Sequence, residues 1–416
     1  MKRYSKKSFR YIFGMNSAYL GNNYLWISFE SLFLPYVIGL AVARNLQSLA
    51  LGMIAFFGIL TGLGFNYISG TLTDRLHTVI GRRRPMIAMG SFITIISLII
   101  FIFNHSSIII IISVYFMIEI GSNIAYGAYQ PLIRDVIPEE QRGESSGVNG
   151  FFTLMGSALG FGLSGLLLGE KLLFYGVLAI LFTVLFTSAM TYGTVRREDY
   201  IPAGELSVRK IVSLLIGKKH TKKFRYVSVA NLFITIGSAG LIFFYYYYFE
   251  YDLHIANAPI YIAISGTVIL FISAIFSIVI GIISDKLNRE ILLAIFPFLS
   301  GISILIISFT HTFYQFLIFG AIIGLSYGSY YTVVTSYMSF MVPHGRAGQY
   351  LSIFLISTET GSAFSPLIYG LILYIFRSNT ELAYSRLFEI SSLFFFAGML
   401  VIIFGILKPW NSKAKN

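Results

Sequence analysis

Three glutamates lie inside long apolar stretches of the chain, at Glu30, Glu119 and Glu359. A charged side chain at the centre of a bilayer costs about 2.5–3.5 kcal/mol on insertion scales, so it must face a polar cavity, find a partner or take up a proton. No lysine or arginine falls at a matching depth in any predicted span. Desolvation then favours the protonated carboxyl, which suits a group that binds and releases protons. We predict proton coupling at these glutamates, chiefly at Glu119. The alternative is a protonated glutamate that only hydrogen-bonds a neighbouring helix.

Amide and aromatic side chains accompany the glutamates in the same stretches. Amides donate to and accept from the hydroxyls of a polyhydroxylated ligand, and flat rings can stack on the C–H faces of a sugar. The candidate substrate-binding residues are Asn22, Asn23, Trp26, Asn123, Tyr126, Asn149, Asn231, Tyr327 and Tyr330. The run from Tyr245 to Tyr248, by contrast, is typical of an aromatic belt at the membrane surface.

A short basic segment separates two of the apolar stretches. It runs from Gly70 through Asp74 and Arg75 to a Gly-Arg-Arg-Arg-Pro sequence at 81–85, and a weaker copy runs from Gly281 through Asp285 to Lys286. These charges cannot lie in hydrocarbon, so the segment marks a cytoplasmic hinge. We predict that it gates transport, with Arg75 pairing with Asp135 in one of two states. The alternative is charge that serves orientation alone. The candidate gating residues are Gly70, Asp74, Arg75, Gly81, Arg82, Arg83, Asp135, Arg142 and Asp285.

The elements that must hold these residues are membrane helices. The chain has 416 residues, of which 56% are hydrophobic and 12% charged, whereas a soluble domain has about 25% charged residues. Apolar runs of about 20 residues can span a bilayer. The predicted spans are 11–39, 47–71, 84–104, 107–136, 146–169, 172–195, 226–250, 259–284, 290–310, 314–341, 348–376 and 385–407. They leave no room for a soluble catalytic domain.

The histidine and cysteine content argues against enzyme chemistry. The six histidines fall in predicted loops or at helix ends without metal-ligand spacing, and the chain has no cysteine. Disulfides, thiol catalysis and cysteine-bound metals are therefore excluded. We expect no enzymatic activity, no cofactor and no metal.

The positive charge is distributed unevenly. A net charge of +12 could indicate a nucleic-acid partner, but with twelve spans and both termini on one side, that side holds 26 of the 30 Lys and Arg residues. This is the positive-inside bias, which places both termini in the cytoplasm of a multi-pass cell-membrane protein. We expect contacts with anionic membrane lipid rather than nucleic acid.

The chain divides into two related halves. A polar stretch gives a six-helix bundle at 1–195, a cytoplasmic basic linker at 196–225 and a second six-helix bundle at 226–416. Pro138 and Pro343 are each followed 18 residues later by Gly-Ser-Ala. We predict an all-α membrane protein of two six-helix pseudo-repeats that functions as a monomer.

The hinge resembles the signature of the major facilitator superfamily. Its Gly-Arg-Arg-Arg-Pro ending is similar to that of the sucrose–proton symporters in the glycoside–pentoside–hexuronide branch. Trp26 precedes a Pro-Tyr-Val sequence by nine residues, as in the first helix of that branch. Glu119, followed by Asn123 and then by a glycine and a distal aspartate, resembles its fourth helix. The resemblance implies the major facilitator fold, a sugar-class substrate, and that Glu119 stands where the branch has its proton-coupling aspartate.

Two departures from the branch refine the expected function. Relatives that use sodium carry aspartates just before the hinge glycine, where this chain has Asn66, which favours protons. The arginine near the start of the fifth helix has its nearest counterpart in Arg142, which we predict to lie in a loop. We expect proton-coupled symport of a small-molecule sugar or glycoside by alternating access. A proton-driven exporter of amphipathic organic compounds and a non-transporting sensor on this fold are the alternatives.

Overall fold

Helices account for the regular structure of this protein in the part of the chain that is described. The computed structural model describes residues 6–76, 78–169, 171–195, 222–284, 286–341 and 347–407. Within these ranges there are twelve long helical segments: α1 Phe9–Ala41, α2 Gln47–Arg75, α3 Arg84–Phe103, α4 Ile108–Tyr129, α5 Arg142–Leu166, α6 Leu173–Thr194, α7 Lys222–Asp252, α8 Ala258–Ile283, α9 Arg289–Ile307, α10 Phe313–Met341, α11 Ala347–Ile375 and α12 Thr380–Leu407. Ten of the described helices are long and apolar enough to cross a membrane. Helices satisfy their own backbone groups in lipid, and the predicted all-α architecture is confirmed.

The helices form two compact units that repeat the same packing. The first comprises Met1–Ala203 with Asn257–Ile264, and the second comprises Gly204–Ala256 with Ser265–Asn416. In the first unit α3 packs on α4 and α6, α1 packs on α5 and α6, and α2 packs on α4. In the second unit α9 packs on α10 and α12, and α7 packs on α11 and α12. The predicted boundaries at 195 and 225 stay a prediction, because residues 196–221 lie outside the described ranges.

Three of the described helices contain a widened turn, and in α12 it is the final turn Ile403–Leu407. In α1 the turn Phe29–Phe33 is π-helical, and the backbone N–H of Leu34 donates to the carbonyl of Phe29. Pro35 follows directly and has no N–H with which to continue the ladder. In α7 the corresponding turn is Tyr248–Asp252. Such turns rotate the side chains that they carry and occur often at functional sites. The turn in α1 carries Glu30.

The tyrosine run of α7 lies inside the second unit. Tyr246, Tyr247 and Tyr248 are all buried, and the ring of Tyr248 lies 5.0 Å from that of Phe388. The predicted membrane-surface belt is therefore wrong for these residues. Consecutive residues of a helix point about 100° apart, so a run of tyrosines must place some of its rings inward.

Candidate functional site

Glycines on α2 make room for large polar side chains on α4. A Cβ atom added at Gly58 would overlap the ring of Tyr115, and one added at Gly62 would overlap the carboxylate of Glu119 and the amide of Asn123. Residues four apart lie on the same helix face, so this glycine face of α2 meets the face of α4 that carries the acid. Small residues allow the close helix contacts that membrane proteins favour.

Glu119 is buried among amides in this contact. Its side chain is 2% exposed. Asn123 Nδ2 donates to Glu119 Oε2 at 3.1 Å and to the Glu119 carbonyl oxygen at 3.0 Å. Asn66 Nδ2, on α2, donates to Asn123 Oδ1 at 3.4 Å. Asn66 thus belongs to the surroundings of Glu119 but brings no charge.

Tyr115 connects this group to α1. Its side chain is fully buried one helical turn before Glu119, and its ring lies parallel to that of Phe29 at 6.1 Å. Its hydroxyl donates to Glu30 Oε1 at 3.4 Å and also lies within hydrogen-bonding reach of the Glu119 carboxyl. We call the series Asn66, Asn123, Glu119, Tyr115 and Glu30 the polar ladder.

Sequence reasoning found the acids of the polar ladder but missed Tyr115 and Gly62. A signal was present in the spacing, because Tyr115, Glu119 and Asn123 recur every four residues. Gly58 and Gly62 repeat that interval on α2. Two matched four-residue intervals, one of large polar residues and one of glycines, indicate faces that can pack together.

The predicted amides of α1 do not join Asn123. Asn22 lines a cavity of about 20 Å³, whereas Asn23 lies against Gly156 of α5 and donates to the Tyr19 carbonyl oxygen at 2.8 Å. Neighbouring helix positions differ in direction by about 100°, so Asn22 and Asn23 cannot share one face. The other residues lining the cavity are Ala18, Leu25, Ser91, Thr94, Ser122, Ala125, Tyr129, Val184 and Ser188.

A separate group of predicted residues meets around Tyr19 in the first unit. The ring of Tyr126 lies 6.1 Å from that of Tyr19, edge to face. Asn149 of α5 hydrogen-bonds the Tyr19 side chain and accepts from Thr153 Oγ1 at 3.3 Å. Trp26 is half-buried on α1. This group offers an amide and aromatic rings, the pairing predicted for a sugar ligand.

Predicted residues also meet in the second unit. Asn231 of α7 is buried, donates from Nδ2 to Thr358 Oγ1 at 2.8 Å and accepts from the Tyr330 hydroxyl at 3.5 Å. Tyr327 hydrogen-bonds Ser238 through its side chain. Glu359, which follows Thr358 on α11, is half-buried. The structure therefore brings Asn231 and Tyr330 together on adjoining helices.

Two arginines of the basic hinge hydrogen-bond one aspartate. Asp135 lies on a short helix, Leu132–Val136, after Pro131 breaks α4. Arg82 Nη2 donates to Asp135 Oδ2 at 2.7 Å, and Arg83 Nε donates to the same oxygen at 2.9 Å. Gly81 has a φ of 104°, which favours glycine and turns both arginines towards the acid. Asp135 is 8% exposed, so this cluster is buried.

The structure describes the other predicted gating residues to different extents. The side chains of Asp74 and Arg75, and residue Asp285 as a whole, lie outside the described part of the chain, so the pairing of Arg75 with Asp135 stays a prediction. Gly70 lies on α2 near Gly127 of α4. Arg142 was predicted in a loop but is the first residue of α5. Hydropathy marks where hydrocarbon ends, whereas a helix can continue into the polar layer beyond it.

No group of three or more His, Asp or Glu side chains among the described residues is placed to hold a metal ion.

Comparison with known proteins agrees with this architecture. The model of the Major Facilitator Superfamily matches residues 12–256 and 227–415. The chain resembles a bacterial homolog of the human lysosomal transporter Spinster, with a TM-score of 0.72, 14% identity, and coverage of 98% of this chain and 100% of that one. It also resembles a D-xylose-proton symporter, with a TM-score of 0.65, 13% identity, and coverage of 93% and 94%. At these identities the likeness shows the fold alone.

Two named relatives share sequence with parts of the chain. The general alpha-glucoside permease of Schizosaccharomyces pombe is 25% identical over 231 residues, 48% of this chain and 41% of that protein. The sucrose transport protein SUC3 of Arabidopsis thaliana is 27% identical over 163 residues, 34% of this chain and 27% of that protein. The matches thus span less than half the length of either relative, and both agree with the sugar-symporter branch that the first-half motifs resemble. Its helices, its repeated helix pairs and its match to the family model place this chain in the Major Facilitator Superfamily, as a multi-pass membrane transporter and not an enzyme.

Proposed function

We propose that this transporter couples the movement of a proton to the import of a sugar or glycoside by alternating access. The observation that carries the proposal is the buried position of Glu119 among the amides and phenol of the polar ladder. A carboxyl in such surroundings is stable when protonated and ionises when water reaches it. Binding and release of a proton can then accompany the exchange between two states.

The choice of a sugar rests on chemistry and on the named relatives. Amide and phenol groups meet around Tyr19 in the first unit and around Asn231 in the second. These groups suit hydroxyl-rich ligands. The relatives named above are an alpha-glucoside permease and a sucrose transporter. We propose α-glucosides as the first substrates to test, with the predicted amides and aromatic residues as their contacts.

We also propose which residues form the gate and how the protein lies in the membrane. The cluster of Asp135 with Arg82 and Arg83 would be stable in one state and open in the other. The basic hinge and both termini would lie in the cytoplasm, against the anionic inner leaflet of the cell membrane. The protein would function as a monomer.

The test is uptake of radiolabelled maltose and sucrose into proteoliposomes whose interior is made alkaline. We expect the unaltered protein to accumulate one of these sugars, and Glu119→Gln to lose gradient-driven accumulation because its amide cannot exchange a proton. Glu389→Gln is the control, since Glu389 on α12 pairs with Arg386 at 2.5 Å, far along the chain from the polar ladder. It should retain accumulation.

Two outcomes would contradict the proposal. Accumulation that persists in Glu119→Gln would remove the assigned proton carrier. Absence of sugar uptake, together with thermal stabilisation of the purified protein by lipophilic cations and not by sugars, would instead favour the exporter.

A further inference from the structure

Tyr115 lies next to two of the glutamates that we predict to carry protons. Its hydroxyl lies between the carboxyl of Glu30 on α1 and that of Glu119 on α4. The phenol is fully buried, and its ring is held between Gly58 of α2 and Phe29 of α1. Packing on both sides keeps the hydroxyl in place between the two acids.

A phenol has one hydrogen to donate. It can therefore donate to only one carboxylate at a time, and the other carboxyl can bond the same oxygen only by donating its own proton. Two carboxylates that share a site also resist ionising together. Glu30, Tyr115 and Glu119 are thus arranged to hold one carboxyl proton between them, and such a pair titrates as a unit.

The geometry points to Tyr115 as a proton-relay residue that connects Glu30 with Glu119. In the transfer, the carboxylic acid of Glu30 gives its proton to the phenol oxygen while the phenol gives its own hydrogen to the Glu119 carboxylate. Glu30 ends ionised, Glu119 ends neutral and the tyrosine is unchanged, so atoms and charge balance. This inference rests on the proposed function, because it assumes that Glu119 exchanges a proton during transport.

The relay has a direction along the bundle. Glu119 lies ten residues before the end of α4 at Tyr129, the end that leads to Asp135 and the basic hinge. Glu30 lies in the widened turn Phe29–Phe33, in the C-terminal half of α1. If the basic hinge is cytoplasmic, as its charge predicts, Glu30 is the member nearer the outside. Protons would enter at Glu30 and reach Glu119 through Tyr115.

The test compares Tyr115→Phe with Tyr24→Phe in proteoliposomes. Both changes remove one hydroxyl and keep the ring, and both tyrosines are fully buried. Tyr24, on α1, belongs neither to the polar ladder nor to the lining of the cavity that contains Asn22. We expect Tyr115→Phe to slow pH-gradient-driven sugar uptake by roughly 100-fold or more, the lower end of what a positioned proton-transfer group contributes. Sugar counterflow at equal pH should stay near the unaltered rate, because that exchange needs no net proton transfer. Tyr24→Phe should leave both rates near those of the unaltered protein.

The outcomes separate the relay from the proposed function. Gradient-driven uptake that is normal in Tyr115→Phe but lost in Glu119→Gln would overturn the relay and leave proton coupling in place. If Glu119→Gln retains coupling, an infrared pH titration of the purified protein decides the relay without transport. A carboxyl band lost in Glu119→Gln should shift its midpoint in Tyr115→Phe and not in Tyr24→Phe. An unshifted midpoint would overturn the relay.

Discussion

Asp135 is the residue on which the basic hinge depends. It accepts from Arg82 and Arg83, and Arg83 Nη1 also donates to the Ala128 carbonyl oxygen at 3.1 Å. Two guanidinium groups next to each other inside a protein repel unless an anion lies between them. The acid therefore holds the loop after α2 against the end of α4.

Removing that charge should be costly. We expect Asp135→Asn to lower the free energy of unfolding by about 3–5 kcal/mol, the cost of leaving buried charges without their counter-ion. Glu290→Gln is the contrast, because the Lys223 side chain of the Glu290–Lys223 pair is 50% exposed, and pairs that reach solvent contribute about 0–1 kcal/mol. Thermal unfolding in detergent measures both. Equal losses in the two variants would contradict the assignment.

The contact between α2 and α4 shows how one element shapes the site on another. In the first unit, glycines on α2 face the large polar residues of α4. In the second unit the arrangement is reversed, because Gly324 and Gly328 lie on α10 and face Ile269 and Ser273 of α8. The repeats thus share helix pairs, but among the described residues the second unit has no acid at this contact. The proposed proton site accordingly lies in one repeat.

Adding a methyl group on α2 would test whether the close approach of α2 and α4 is required. Gly62→Ala should push the carboxylate of Glu119 and the amide of Asn123 out of place, with an overpacking cost of about 1–3 kcal/mol. Gly64→Ala, two residues along α2, has open space around the added Cβ. We expect thermal stability and gradient-driven uptake to fall in Gly62→Ala and to be unchanged in Gly64→Ala. A neutral Gly62→Ala would show that the close approach of α2 is not required.

Charge asymmetry predicts the orientation of the whole molecule in the membrane. The predicted outer side holds just four cationic residues, Arg44, Lys171, Arg377 and Arg386. Lys and Arg are retained on the cytoplasmic side during insertion, so the richer side is expected inside. The chain contains no cysteine, so single introduced thiols can report the side of the membrane on which each loop lies.

Membrane-impermeant maleimide should therefore label only one set of loops in intact cells. We expect reaction at Arg44→Cys and Lys171→Cys, and no reaction at Val79→Cys, which lies in the hinge at a site that is 89% exposed. Val79→Cys should react once the cells are opened, which controls for thiol accessibility. Labelling of Val79→Cys in intact cells would invert the predicted topology.

The sequence by itself determined the number of helices, the family resemblance and the placement of Glu119 and Asn123 four residues apart on one helix. Apolar length in a chain of this composition requires helices, and residues four apart on a helix must be neighbours. Tertiary structure alone decided that Asn22, Asn23 and Asn123 face different ways, that Arg82 and Arg83 hold Asp135, and that Tyr115 joins two acids. The reason is that lipid is as apolar as a helix interface, so hydrophobic periodicity does not tell which face of a membrane helix points inward.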